Sequence, residues 1–260
     1  MYNFINSEEN KKIKFIKSLK QKKVRTREST YILEGIKPII EAINEEIKIR
    51  EIFLSKSFFD GEFKNYPDLQ KQKLNIIEDK IFYGITDTVN SQGIFSTVYA
   101  DIKNVEDILP FGRYILLDGL SDPGNMGGII RGVDAFGFDG LIVGPNSVDV
   151  LNEKVVRSTM ASIFRINIYV MKNIDEMEIL KSRMFRILAT SLEERSFTPM
   201  ETDLKDNVII IIGNESQGVS KEMKKFATQS LYIPMVGGAE SLNANVSASI
   251  LMYESMRQRS

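Results

Sequence analysis

The chain of 260 residues contains no histidine, no cysteine and no tryptophan. Without cysteine there is no disulfide, no thiolate nucleophile and no thiolate zinc site; without histidine there is no imidazole to shuttle a proton. An excess of charge is missing as well. Lys and Arg number 34 against 35 Asp and Glu, a formal net charge of -1, so the chain is not basic throughout and affinity for a polyanion has to come from a local patch. Long apolar runs are also lacking. The most continuous, Val208–Ile212, is far shorter than the ~20 residues needed to span a bilayer. The first residues mix apolar with polar side chains and soon turn to Glu and Lys, with no apolar leader followed by a small-residue cleavage site. A cytoplasmic protein without membrane or metal is expected.

The charge that is present is unevenly spread. From Lys11 to Arg27 there are nine basic residues and no acidic one, and residues 1–35 carry a net +5. Such a run steers a polyanion toward this end of the chain. It also reads as a solvated helix face, because Ile13, Phe15, Ile16 and Leu19 recur at helical spacing. The two readings are compatible, with the apolar stripe packing inward and the lysines facing outward. Residues 29–100 then read as a small α/β unit: β-like runs at 31–33, 49–54, 74–77 and 93–99, and a helix over 35–44 with Ile36, Ile39, Ile40 and Ile43 on one face. The segment 100–112 has little periodicity and contains Pro110 and Gly112, which places a domain boundary there, between 1–105 and 106–260.

Beyond the boundary, short and nearly continuous apolar runs occur at 114–117, 140–143, 185–189, 208–212 and 231–233, separated by helical patterns. Strands apolar on both faces are what a buried parallel sheet requires, and such sheets bind ligands past the carboxyl ends of their strands. Three loops follow such runs. The first, Asp118–Arg131, has turn chemistry at Asp122-Pro-Gly-Asn125 and paired glycines at Gly127 and Gly128. On composition Asn125 reads equally as a helix cap or a site residue, and Arg131 as a surface residue or a side chain reaching back to the loop. The second, Gly213–Ser220, fits the phosphate-loop pattern except that Val219 replaces its lysine. That loss, with Glu215 inside the loop, excludes a nucleoside triphosphatase and suits a cation, an amine or another donor. An ordinary strand-to-helix turn capped by Ser220 is the simpler reading. The third, Ile233–Val246, crowds Ser241, Asn243 and Asn245 at the mouth of a terminal helix, more than capping needs. No GxGxxG occurs, which argues against a dinucleotide dehydrogenase.

Together, LDGLSDPGNMGGIIRGVDAFGFDGLIV, IIIGNESQGVS and IPMVGGAESLNANVSASILMYE resemble the three motifs of the SpoU/TrmH family of RNA ribose 2′-O-methyltransferases, in the SPOUT superfamily. Lys154–Phe164 fits the helix between the first two. The N-terminal segments Lys22-Lys-Val-Arg25, Leu33-Glu-Gly35 and Ser91-Gln-Gly93 are similar to the substrate-binding domain that precedes the catalytic domain in many members. The resemblance implies an α/β fold with a C-terminal knotted parallel-sheet domain after a small α/β RNA-binding domain, S-adenosylmethionine as methyl donor, and a homodimer. It places donor contacts at Gly213, Ile233 and Leu242 and a catalytic constellation at Asn125, Arg131, Glu215, Ser241 and Asn243. The implied substrate is ribosomal RNA. Alternatives are transfer RNA, a base rather than a ribose as acceptor, or a catalytically silent RNA-binding protein. Departures from the family pattern are Ser91 for a proline, Gly128 and Gly132 for Ala and Thr, and Asn245 for a small or apolar residue.

Overall fold

Five strands build the first sheet: β1 (Tyr2–Ile5), β2 (Thr30–Glu34), β3 (Ile49–Ser55), β4 (Leu74–Ile77) and β5 (Ile94–Tyr99), in the spatial order β1-β4-β3-β5-β2. The computed structural model describes residues 2–86, 90–192 and 196–260. Within this unit the basic run forms two helices, Lys11–Ser18 and Lys22–Glu28. Their apolar stripe is buried as the periodicity requires: Ile13, Ile16 and Leu19 are at most 1% exposed and pack with Phe53, Phe82 and Phe95. The break between the helices is held by Arg25. Its guanidinium is buried and donates to the carbonyls of Leu19 and Lys20 at 2.6 and 2.9 Å, satisfying acceptors that a helix end leaves open. The two small motifs of this unit meet: Gln92 Oε1 accepts the Ile36 N–H at 2.9 Å, at the start of the helix Ile36–Asn44. Gly93 is required beside it, with φ +77° and a would-be Cβ 2.6 Å from Ser55 Oγ.

The later apolar runs become a second sheet of seven strands, every pairing parallel. They are β6 (Ile102–Asn104), β7 (Arg113–Asp118), β8 (Gly140–Val143), β9 (Ile168–Val170), β10 (Arg186–Thr190), β11 (Val208–Gly213) and β12 (Gln229–Leu231). Their order is β12-β10-β11-β7-β8-β9-β6. All residues of β7, β8 and β11 are buried, which is why their sequences run apolar without alternation. The chain leaves the edge strand β12 and ends in the helix Ala244–Arg259, which packs against β11 and the helix Pro123–Ala135.

Two polar struts fasten that terminal helix. The buried Arg113 guanidinium donates to Ser255 Oγ (3.1 Å) and Gly137 O (2.6 Å), while Ser255 donates to Leu204 O (2.6 Å). Gln258 accepts the Leu204 N–H and donates to the carbonyls of Pro199 and Thr202. The unusual glycines explain the helix contact. A Cβ on Gly128 would lie 2.5 Å from the Asn245 amide and one on Gly132 2.3 Å from Met252 Cε. The departures Gly128 and Asn245 are therefore one coupled feature, a small residue making room for a larger one opposite.

By their contacts the residues group as Met1–Ala100 with Leu151–Phe164, and Asp101–Val150 with Arg165–Ser260. The segment Leu151–Phe164 thus groups with the first sheet rather than with its sequence neighbours. Its helix Glu153–Ser158 packs on β2, where the Arg157 guanidinium lies 3.7 Å from the Glu34 carboxylate.

Candidate active site

The three loops singled out by position past a strand converge at the carboxyl edge of the second sheet. The ends of β10, β11 and β12, at Thr190, Gly213 and Leu231, line a cavity of about 430 Å³. Ile233, Met235, Glu240, Ser241 and Leu242 from the third loop and Asn214–Val219 from the second enclose it. All three expected donor contacts, Gly213, Ile233 and Leu242, are on its wall, as are Glu215 and Ser241. Gly213 is irreplaceable by geometry: a Cβ there would sit 2.1 Å from Gly218 C and 2.2 Å from Val219 N. The loop closes back on itself there, Asn214 and Gly218 exchanging both backbone hydrogen bonds at 2.9 and 3.0 Å.

Glu215 is the hub between the first and second loops. Its carboxylate accepts from Ser121 N (3.2 Å), Ser121 Oγ (2.9 Å), Asp122 N (3.0 Å) and Asn125 Nδ2 (2.9 Å). The brace is reciprocal. Asp118 Oδ2 accepts the Ser220 N–H at 2.6 Å, and Asn214 Nδ2 donates to Gly119 O at 2.8 Å. Partial burial pushes the Glu215 pKa up, but the hydrogen bonds from Asn125, from its own loop backbone, from Asp122 and from Ser121 outweigh it and hold the group at about 2.

A folded pKa below the unfolded value of about 4.3 means that these bonds add stability that is complete above pH ~4.3. This contribution fades as pH falls toward 2. Urea unfolding of wild type and Glu215→Gln is therefore expected to show a larger gap at pH 7 than at pH 3.

The third loop joins through an amide chain. Asn243 Nδ2 donates to Asn125 Oδ1 at 2.8 Å, so Asn125 is held from both sides, giving to Glu215 and receiving from Asn243. Asn243 is also the N-cap of the terminal helix, its Oδ1 accepting from Asn245 N and Val246 N. Asn243→Ala is expected to cost about 1 kcal/mol for the cap, read by urea unfolding. The same change leaves Asn125 unheld on one side. Asp122, not Asn125, caps the helix Pro123–Ala135, accepting Asn125 N at 2.7 Å, which frees the Asn125 side chain for the site. Ser220 caps the helix Lys221–Lys224 as the simpler reading of its loop required.

Arg131 is not drawn into this network. It is exposed on the helix Pro123–Ala135 with no hydrogen bond or ion pair among the described residues. Thr190, Ser191 and Leu192 line the cavity without having been singled out. Their signal was available, since they follow the apolar run 185–189 as the other loops follow theirs.

A parallel sheet with a cavity at its carboxyl edge and a carboxylate–amide relay beside it defines an α/β enzyme that binds a small cofactor-sized ligand. The sequence matches the SpoU rRNA Methylase family over residues 112–253 and the MRM3-like substrate binding domain over residues 10–96. The chain belongs to the SpoU rRNA methylase family and is a methyltransferase. It is 30% identical over 251 residues to the 23S rRNA (guanosine(2553)-2'-O)-methyltransferase RlmP of Bacillus subtilis, covering 96% of this chain and 97% of that one. The AdoMet-bound rRNA methyltransferase from Sinorhizobium meliloti superposes with a TM-score of 0.84 at 28% identity, with 98% of each chain covered. The SpoU methyltransferase AviRb from Streptomyces viridochromogenes, in complex with AdoMet, gives 0.77 at 25% identity, covering 96% of this chain and 99% of that one.

Proposed function

We propose that this methyltransferase takes its methyl group from S-adenosylmethionine and delivers it to a ribose 2′-hydroxyl of ribosomal RNA. The observation that carries the reading is the cavity at Thr190, Gly213 and Leu231 with Glu215 on its wall and Asn125 and Asn243 joined to Glu215 by successive hydrogen bonds. The cavity fits the cofactor: its volume is in the range of small-ligand sites, and its wall mixes apolar side chains with backbone of the Gly213 turn that no Cβ obstructs. Gly213, Ile233 and Leu242 would hold it. When bound, the sulfonium supplies an electrophilic methyl group, so the protein needs mainly to position the acceptor oxygen.

Positioning falls to Asn125 and Asn243, neutral groups fixed by their mutual hydrogen bond, with Ser241 on the cavity wall two positions before Asn243. Glu215 is a poor base at a pKa of about 2 with four donors on its oxygens, and its part is to hold Asn125 and the loop at Ser121 and Asp122. With no imidazole in the chain, the hydroxyl proton goes to water or an RNA phosphate. Arg131, cationic as arginines are and without a partner among the described residues, clamps a neighbouring phosphate and stabilises the developing alkoxide.

RNA is held by the N-terminal domain, residues 1–105, with chemistry in 106–260, of which Leu151–Phe164 groups by its contacts with the N-terminal unit. The basic run is more neutralised than its composition suggests. Lys12, Lys14, Lys17 and Arg27 pair with Glu51, Glu9, Glu8 and Glu28. Lys11, Lys22 and Lys23 keep uncompensated charge among the described residues. Exposed pairs of this kind are weak and yield readily to phosphates. A homodimer fits the terminal helix, which leaves Val246, Ile250 and Tyr253 exposed at a spacing of one helix face. A knotted C-terminal segment fits the return of the chain from β12 and the struts at Arg113, Ser255 and Gln258. No described helix is long and apolar enough to cross a membrane; a cytoplasmic setting is the place where this substrate is found.

The test is incubation of the protein with labelled S-adenosylmethionine and 23S rRNA, the RNA named for the Bacillus subtilis relative, followed by nuclease digestion and mass spectrometry. Label on a ribose oxygen is expected. Label on a base overturns the ribose assignment, transfer only to transfer RNA overturns the substrate, and donor binding with no transfer supports the silent alternative.

A further inference from the structure

One charge in the cofactor cavity has no part in the scheme above. Among the described residues, three charged side chains line the cavity: Glu215, Lys224 and Glu240. Glu215 is committed to Ser121, Asp122 and Asn125, and Lys224 has an interaction of its own. Glu240 is different. It follows Gly237 and Gly238 in the third loop, is solvent-exposed, and takes no hydrogen bond or ion pair among the described residues, so its carboxylate is free to act on whatever enters.

We propose that Glu240 lets the cavity distinguish the methyl donor from its demethylated product by charge. The proposal rests on the cofactor reading above. S-adenosylmethionine carries a sulfonium, an ammonium and a carboxylate, a net +1. Methyl transfer breaks the S–CH3 bond with its electron pair left on sulfur and forms the bond from carbon to the ribose oxygen, while the hydroxyl proton passes to water or phosphate. The thioether product is net neutral. Apart from one methyl group, charge is the difference between the two ligands, and an uncommitted carboxylate on the cavity wall is the group that reads it. Glu240 therefore adds affinity for the donor and none for the product, which favours exchange after each turnover.

At separations of several ångströms in a partly solvated site, one such carboxylate is worth roughly three- to tenfold in affinity, and salt screens it. The experiment is calorimetric titration of S-adenosylmethionine and S-adenosylhomocysteine into the full-length wild type, Glu240→Gln and Glu240→Lys, at low and high salt. Glu240→Gln is expected to weaken the donor roughly three- to tenfold and leave the product unchanged, with Glu240→Lys weakening the donor further. The wild-type preference for the donor should shrink with salt and that of Glu240→Gln should not. Equal weakening of both ligands, or no change in either, overturns the proposal. A wild type that binds neither ligand overturns the cofactor reading as well. Thermal midpoints of the variants, expected to match wild type because Glu240 is exposed and makes no bond among the described residues, separate these results from misfolding.

Discussion

Arg131→Ala is expected to lower the single-turnover rate by about 100- to 1000-fold, the loss typical of removing one donor to a developing oxyanion. Stability should stay within about 0.5 kcal/mol, because Arg131 is exposed and nothing among the described residues depends on it. The combination is informative. Arg131 makes no hydrogen bond or ion pair among the described residues and lies on the helix that carries Asn125, so its partner is expected to arrive with the substrate. Arg131→Lys keeps the charge but loses the planar fork, so it should recover only part of the rate if the phosphate is gripped by two parallel hydrogen bonds. Near-normal turnover of the lysine variant would argue against that grip. The pH profile of single turnovers adds a second check. Glu215 titrates at about 2 and the chain has no imidazole, so no carboxylate or imidazole step from these groups should appear between about pH 5 and 8.

Gly213→Ala is expected to be the most damaging single-methyl change in the cavity proposed for the cofactor. The added carbon would lie 2.1 and 2.2 Å from backbone atoms of Gly218 and Val219, and backbone cannot swing aside as a side chain can. Overpacking of this kind costs about 1–3 kcal/mol or more. Its effect goes beyond stability, because the second loop carries Glu215, and moving it shifts the acceptor for Ser121, Asp122 and Asn125 together. Calorimetric titration with S-adenosylmethionine should show binding lost or at least ~100-fold weaker, with urea unfolding shifted in parallel. Unchanged binding would mean that the turn can open without cost, against its paired backbone bonds at Asn214 and Gly218.

Much of the fold was legible because it rests on short-range patterns. The runs at 114–117, 140–143 and 208–212 coincide with β7, β8 and β11 to within a residue at either end, since a strand buried on both faces has to be apolar throughout. The strands β6 and β9 were not legible. Each has three residues, too few to show a period, and the first lies in the segment read as a boundary. The single basic run became two helices because a buried Arg25 closes the end of the first, a bond that charge counting does not reveal. Leu151–Phe164 reads as part of the C-terminal domain along the chain, yet its Arg157 meets Glu34.

What the sequence determined by itself is the kind of chemistry and the loops where its site is proposed. The lack of imidazole and thiol removed whole classes of mechanism, and apolar strands followed by glycine- and amide-rich loops pointed to the loops that the structure brings around the cavity, because both are properties of residue type and local spacing. What only the tertiary structure decided is who holds whom. Glu215 had open to it an amine, a cation or another donor, and the fold assigned it the donors of a loop more than 90 positions away. Asn125 was divided between cap and site until Asp122 took the cap and Asn243, 118 positions distant, took its oxygen. Those choices depend on which loop ends a parallel sheet brings side by side, and strand order is set by long-range packing that no local pattern encodes.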